Sequence, residues 1–147
     1  MVSQFVSVEK VRLLGDLGFN FPEGTHTIGR LDSLSEGLLL LTTNKKVTKL
    51  LFEGAVPHKR TYLVRITKKI SPERVQQLRD GVTVSVRGRG HYVTAPCEVT
   101  LLDAPPDVFP HQLEQNPYVP HSWLQLSLYE GKRHQIRNMV AAVGHEC

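Results

Sequence analysis

The strongest constraint on this chain is a run of four leucines, Leu38 to Leu41, inside the segment TIGRLDSLSEGLLLLTTN that opens at Thr27. Alternate side chains of a strand point to opposite faces, so four large apolar residues in a row occupy both faces. A strand buried on both sides accommodates such a run. Thr42, Thr43 and Asn44 are turn formers and end it. Upstream, Asp32 lies in a polar stretch bounded by Gly29 and Gly37. The segment therefore puts a carboxylate in a glycine-bounded loop at the mouth of a central strand, where a scaffold can fix a reactive group. The commoner role for a lone loop aspartate is local: an Asx-turn with Ser33, or the cap of a short helical turn.

With 147 residues, the chain is long enough for one domain, 1–147, with a substantial core. No apolar run approaches the ~20 residues that span a bilayer as a helix. The opening MVSQFVSVEK lacks the basic-then-apolar order of a secretory signal. Cys97 and Cys147 form no CxxC pair, and no His/Cys cluster has zinc spacing, so no metal is implied. A reducing, cytoplasmic compartment follows as the default. The net charge of +4 is compatible with a polyanionic partner without identifying one. The cations are unevenly spread. Between Glu53 and Glu73 there is no acid, yet Lys59, Arg60, Arg65, Lys68 and Lys69 fall there. Lys132, Arg133, His134 and Arg137 form a second group, and Arg87 with Arg89 a third.

Taken in order, residues 2–6 read as a strand fragment and Ser7 to Leu17 as a weak helix closed by Gly18. After the leucine strand, Asn44 caps a helix with Val47, Leu50 and Leu51 on one side, closed by Gly54. Thr61 to Thr67 is a strand with Tyr62, Val64 and Ile66 on one face. Ser71 and Pro72 open a helix as N-cap and first residue, with Val75 and Leu78 turned inward and Asp80-Gly81 at its end. Residues 82–87 alternate strictly, and with 91–101 they read as a hairpin. Asp103 to His121 holds Pro105, Pro106, Pro110, Pro117 and Pro120, so it reads as a long loop. Trp123 to Tyr129 is a strand, turned by Glu130-Gly131. A last helix carries Ile136, Met139, Val140 and Val143 at helical spacing, with Gly144 after it. Mixed strands and helices with hairpins predict an α+β fold with a mainly antiparallel or mixed sheet, not a doubly wound one.

Two features carry candidate chemistry. Lys132, Arg133, His134 and Arg137 crowd the start of the last helix, where the dipole disfavours cations by about 0.3–1 kcal/mol each. Either this is a solvated basic face or these cations meet an anion, a phosphate or a carboxylate such as Asp32. Arginine suits a carboxylate because its planar fork pairs both oxygens. Tyr62 is either a core residue beside Val64 and Ile66 or a stacking platform in a basic groove for single-stranded nucleic acid.

The segments GRLDSLSEGLLLLTTN, KRTYLVRI and EGKRHQIRNM, in that order, closely resemble three motifs of the bacterial-type pseudouridine synthases of the RsuA/RluB/RluE/RluF family. The resemblance runs along essentially the whole chain, and the segment ending in VPHSWLQLSLYEG resembles the RluE branch, whose target is large-subunit ribosomal RNA. It implies the pseudouridine-synthase fold: a mixed, mainly antiparallel sheet flanked by helices, with a central active-site cleft. It implies isomerisation of uridine to pseudouridine in ribosomal RNA, without metal or organic cofactor, by a cytoplasmic monomer. Asp32 matches the catalytic aspartate, Tyr62 the tyrosine that stacks on the target base, and Arg137 the basic residue that pairs with the aspartate. Arg30, Lys59, Arg60, Lys132, Arg133, His134 and Gln135 are the expected RNA-contacting residues.

The residue types suit the chemistry. Uracil must leave C1′, rotate and reattach through C5. A carboxylate can attack C1′, or remove the 2′ proton to give a glycal, and both routes are open to Asp32. A base taken out of its stack needs a replacement surface, which Tyr62 offers. Three departures from the family stand out. Asn138 occupies a position where many relatives carry a second arginine. The family's strand and arginine-containing segment after the last helix are not in the sequence, nor is a strand before Val2. The sequence is therefore expected to be truncated at both ends, and no S4-type RNA-binding module is expected, as in the RluE-like branch. The alternative function is a catalytically inactive RNA-binding module of the same fold. A phosphotransferase with an aspartate nucleophile fits poorly, since it recruits Mg²⁺ through further acids and only Glu36 is near.

Overall fold

The computed structural model describes residues 1–53, 57–86, 88, 90–103, 107 and 118–147. They fall into two compact units, 1–57 and 58–147.

The first unit opens with an extended segment held by single bonds rather than a ladder. Val2 N donates to Arg12 O (2.9 Å) and Leu14 N to Gln4 O (3.0 Å). The expected strand over 2–6 does not form, and the expected helix over 7–17 shrinks to a 3-10 turn at Leu14–Leu17, ended by left-handed Gly18. The reason is the lack of an apolar stripe: Val6 and Val8 are exposed, and Leu14 is the one apolar residue of 2–17 that is buried. Phe21 packs edge-on against Phe5 and Phe19, with ring centroids 4.9 and 4.8 Å away.

Strand β1 (His26–Ile28) pairs antiparallel with β2 (Leu40–Thr42), with Thr27 opposite Leu41. Here the leucine run departs from expectation. Only Leu40 and Leu41 enter β2, both are exposed, and Leu38 is 85% exposed. Among the described residues β2 pairs with β1 alone. A continuous apolar run carries no period, so it marks affinity for a core without specifying one. Helix α1 (Lys45–Glu53) follows, and Asn44 caps it as expected through Lys46 N to Oδ1 (3.0 Å). The glycine expected to close it, Gly54, lies outside the described residues, as do Arg87, Arg89 and most of the proline-rich segment.

The second unit is built on a three-stranded antiparallel sheet of β3 (Arg60–Thr67), β7 (His121–Leu128) and β6 (Glu98–Leu102), with β7 in the middle. Between β3 and β6 in sequence come α2 (Pro72–Asp80), β4 (Thr83–Val86) and β5 (Gly90–Val93). The register places Tyr62 opposite Leu126, Val64 opposite Leu124, and Leu126 opposite Val99. That face is the core, where Ile66, Leu124 and Leu126 join Val75 and Leu78 of α2 and Val84 of β4. Helix α3 (Gln135–Ala142) adds Met139 and Val140, with Val143 just beyond it. All pairings among the described strands are antiparallel, in line with the expected α+β class.

Local signals explain these elements. Ser71 accepts from Arg74 N (3.4 Å) and Pro72 starts α2. Gly81 ends it at φ +97°, where a Cβ would run into the backbone oxygen of Thr94. The expected strand over 91–101 is two strands, because Pro96 cannot donate to a ladder. Strand β5 pairs with β4, and β6 turns away to pair with β7. After α3, Gly144 N donates to Ala141 O and His145 N to Val140 O, the paired bonds of a Schellman motif on a left-handed glycine. The chain then docks on β3. Thr67 N donates to Glu146 O (2.9 Å), and the buried His145 ring donates from Nδ1 to Thr67 O (2.7 Å).

Candidate functional site

The GRLD segment forms the connection between β1 and β2. Gly29 turns the chain at φ +81°, with the Phe52 ring against it. Ser3 then grips the next residues from 28 positions away. Its hydroxyl accepts from Leu31 N (2.8 Å) and donates to Leu31 O (3.0 Å). Ser35 N donates to Asp32 O (2.9 Å), closing a turn that starts at the aspartate. Asp32 is half-buried and Arg30 is exposed. Ser3 is 8% exposed and was not singled out by sequence, because no local pattern links residues so far apart.

In the second unit Tyr62 sits on the core-facing side of β3, half-buried against the apolar cluster. Arg137 lies in the first turn of α3, half-buried, and its Nη1 donates to Cys147 O (2.8 Å). Arg133 and His134 are exposed at the start of α3. His134 takes a left-handed conformation, φ +52°, which is uncommon for a residue with a Cβ. It lets the chain turn from the strand end into the helix.

Other expected RNA contacts are occupied within the protein. Lys59 pairs with Glu98 across the sheet edge, and that hydrogen bond raises the lysine's pKa. Arg60 Nη2 donates to Tyr129 O (3.3 Å), and its guanidinium lies where a side chain on residue 131 would stand. A side chain at 131 would displace the end of the Arg60 side chain. Gln135 is buried at 4% exposure. Its amide oxygen accepts from Lys132 N (2.9 Å) and its NH₂ group donates to Glu130.

Glu130, read from the sequence only as a turn residue, stands at the centre of this turn. Glu130 accepts from Ala95 N (3.1 Å), from the Gln135 amide and from Lys132 Nζ (2.9 Å). Burial pushes its pKa up, but the hydrogen bonds from Lys132, Ala95 and Gln135 outweigh this and leave it below the ordinary value. Lys132 Nζ also lies 3.8 Å from the centroid of the Tyr92 ring. Burial raises the Tyr92 pKa; Lys132 opposes that and Glu130 adds to it. Among the described residues, no group of three His, Cys, Asp or Glu side chains is arranged to hold a metal ion. No helix of the described residues is long and apolar enough to cross a membrane.

The chain is similar to known proteins over most of its length. It is 35% identical over 128 residues to the ribosomal large subunit pseudouridine synthase E of Xanthomonas axonopodis pv. citri, covering 86% of this chain and 65% of that protein. It is 31% identical over 136 residues to the ribosomal large subunit pseudouridine synthase B of Bacillus subtilis, covering 92% of this chain and 49% of that one. The chain thus spans about half to two thirds of the length of these relatives. A crystal structure of a pseudouridylate synthase shares the fold, with TM-score 0.66 at 23% identity over 87% of this chain and 48% of that one. The family model described as RNA pseudouridylate synthase matches residues 16–142, from the 3-10 turn before β1 to the end of α3. Its match takes in the aspartate loop, the tyrosine strand and the basic turn, and the chain belongs to the RNA pseudouridylate synthase family.

Proposed function

We propose that this chain isomerises uridine to pseudouridine in ribosomal RNA of the large subunit. Asp32 acts at the ribose, as nucleophile at C1′ or as base at the 2′ position. Tyr62 takes the place of a neighbouring base in the stack once the target uridine is flipped out. Arg137 takes the role of the family's basic active-site residue, to which its planar guanidinium is suited. Arg30, Arg133 and His134 meet flanking phosphates, and Arg60 adds its charge from its position against Tyr129.

The observation that carries this reading is the aspartate turn. Asp32 opens a hydrogen-bonded turn whose preceding residue, Leu31, is clamped on both backbone groups by one buried serine. A carboxylate needed only for solubility has no use for such a clamp. The large-subunit target is carried over from the names of the relatives.

The test is pseudouridine formation in large-subunit ribosomal RNA, read by chemical labelling and primer-extension stops. The wild type is expected to give a stop at a discrete uridine, and Asp32→Ala to give none while still binding the RNA. Tight binding with no stop from the wild type, on naked RNA and on ribosomal particles alike, would favour an RNA-binding module that has lost catalysis.

A further inference from the structure

We infer that Glu130 is a positioning residue for the basic end of α3, and that Lys132 belongs to its anchor rather than to the RNA-contacting set. The inference rests on the isomerase reading above. Three donors from three places converge on one carboxylate: the Ala95 amide between β5 and β6, the Gln135 side chain inside α3, and the Lys132 ammonium in the turn itself. Gln135 closes the circuit, since its own oxygen holds the Lys132 amide. The Lys132 side chain then lies across the Tyr92 ring of β5. One acid thereby joins the turn of residues 129–134 to the β5–β6 connection and to the first residue of α3.

What this turn delivers is Arg133, His134 and, one helical turn later, Arg137. His134 holds a left-handed backbone, a conformation that persists only where its surroundings over-determine it. The Glu130 anchor supplies that determination on one side, and Arg60, against Gly131 and Tyr129, supplies it on the other. Lys132 is committed to a carboxylate and an aromatic face, so a phosphate would have to displace both. It therefore contributes no released counterion when RNA binds.

Glutamine at position 130 is nearly isosteric but cannot serve. A carboxamide offers one acceptor oxygen and turns an NH₂ group toward donors that already need acceptors. Single-turnover isomerisation, with enzyme in excess and well below the melting temperature, separates positioning from folding, because saturating enzyme removes any dependence on the folded fraction. For Glu130→Gln the limiting rate is expected to fall about tenfold or more, as for other misplaced reacting groups. A limiting rate equal to that of the wild type, whatever happens to the melting temperature, overturns the positioning role.

The second arm needs no turnover. For RNA binding by Lys132→Met, the slope of log affinity against log salt is expected to equal that of the wild type, whereas Arg133→Gln lowers it by about 0.7. A drop of that size for Lys132→Met makes Lys132 a phosphate ligand and overturns the inference. If the wild type binds RNA but forms no pseudouridine, the isomerase reading fails, while this arm still decides where Lys132 belongs.

Discussion

Two side chains to which the motifs assign no chemistry, Ser3 and Glu130, hold the most informative positions. Ser3 satisfies both backbone groups of Leu31, and a methyl group there would leave a sheltered N–H and C=O without a partner. Leaving such groups unpaired costs about 1–3 kcal/mol. Ser3→Ala is therefore expected to lower stability by about 1–2 kcal/mol in denaturant titration and to speed hydrogen exchange at the Leu31 amide. Exchange unchanged at Leu31 would mean that the clamp is not closed in solution. Glu130 makes a prediction in pH. Its pKa is lowered in the folded chain, so its contribution is complete above the ordinary carboxyl pKa of 4.5 and is lost as pH falls through the lower folded value. The stability advantage of wild type over Glu130→Gln should shrink as pH drops below that range. A gap that stays constant down to the acid limit would contradict the assigned contacts.

Among the elements, those with complete local punctuation were legible in advance. Helix α2 has its serine cap, proline start, two inward residues and glycine stop in the residues themselves, and each is found in place. Strand β7 alternates visibly, and Leu124, Leu126 and Leu128 are all buried. The stop of α2 gives the sharpest element-scale prediction. Gly81→Ala meets both a positive φ and the Thr94 carbonyl. It should destabilise the second unit by about 2 kcal/mol or more, measured as a shift in denaturant midpoint at unchanged slope. A near-neutral result would mean that the α2–β4 corner relaxes easily. Illegible elements were those whose fate depends on distant partners. The leucine run promised a doubly buried strand, and no residue within it says what would cover it. Residues 2–17 offered β-branched and polar side chains without a stripe, so neither periodicity was fulfilled. In the same way, the motif residues could be matched one by one, but their internal commitments could not. Lys59, Arg60, Lys132 and Gln135 all read as RNA contacts, and each is tied to a protein group 39, 69, 2 or 5 residues away in sequence.

For the molecule as a whole, the net charge of +4 includes cations already paired with the protein's own acids. Glu98 and Glu130 neutralise Lys59 and Lys132 at short range. Among the motif residues expected to contact RNA, Arg30 and Arg133 stand exposed, a small set of phosphate ligands. Affinity should therefore fall with salt, with a log–log slope of about −2 to −4 for a single-stranded target. A slope near zero would remove phosphate contacts from the account, and a much steeper one would return the paired lysines to it.

The strand order β3-β7-β6 also bears on how such a protein is made. Strands β3 and β6 are synthesised first, yet they do not pair with each other: the strand that joins them is β7, which begins 54 residues after Thr67. At about 5–20 residues per second, β3 waits on the order of several seconds with its pairing edge and apolar face uncovered. During that interval the nascent chain offers two open edges and half a core, the state most exposed to misassociation. The arrival of residues 121–128 then completes the sheet in one step, so a translational pause just upstream of β7 would lengthen the vulnerable period, whereas one downstream would not.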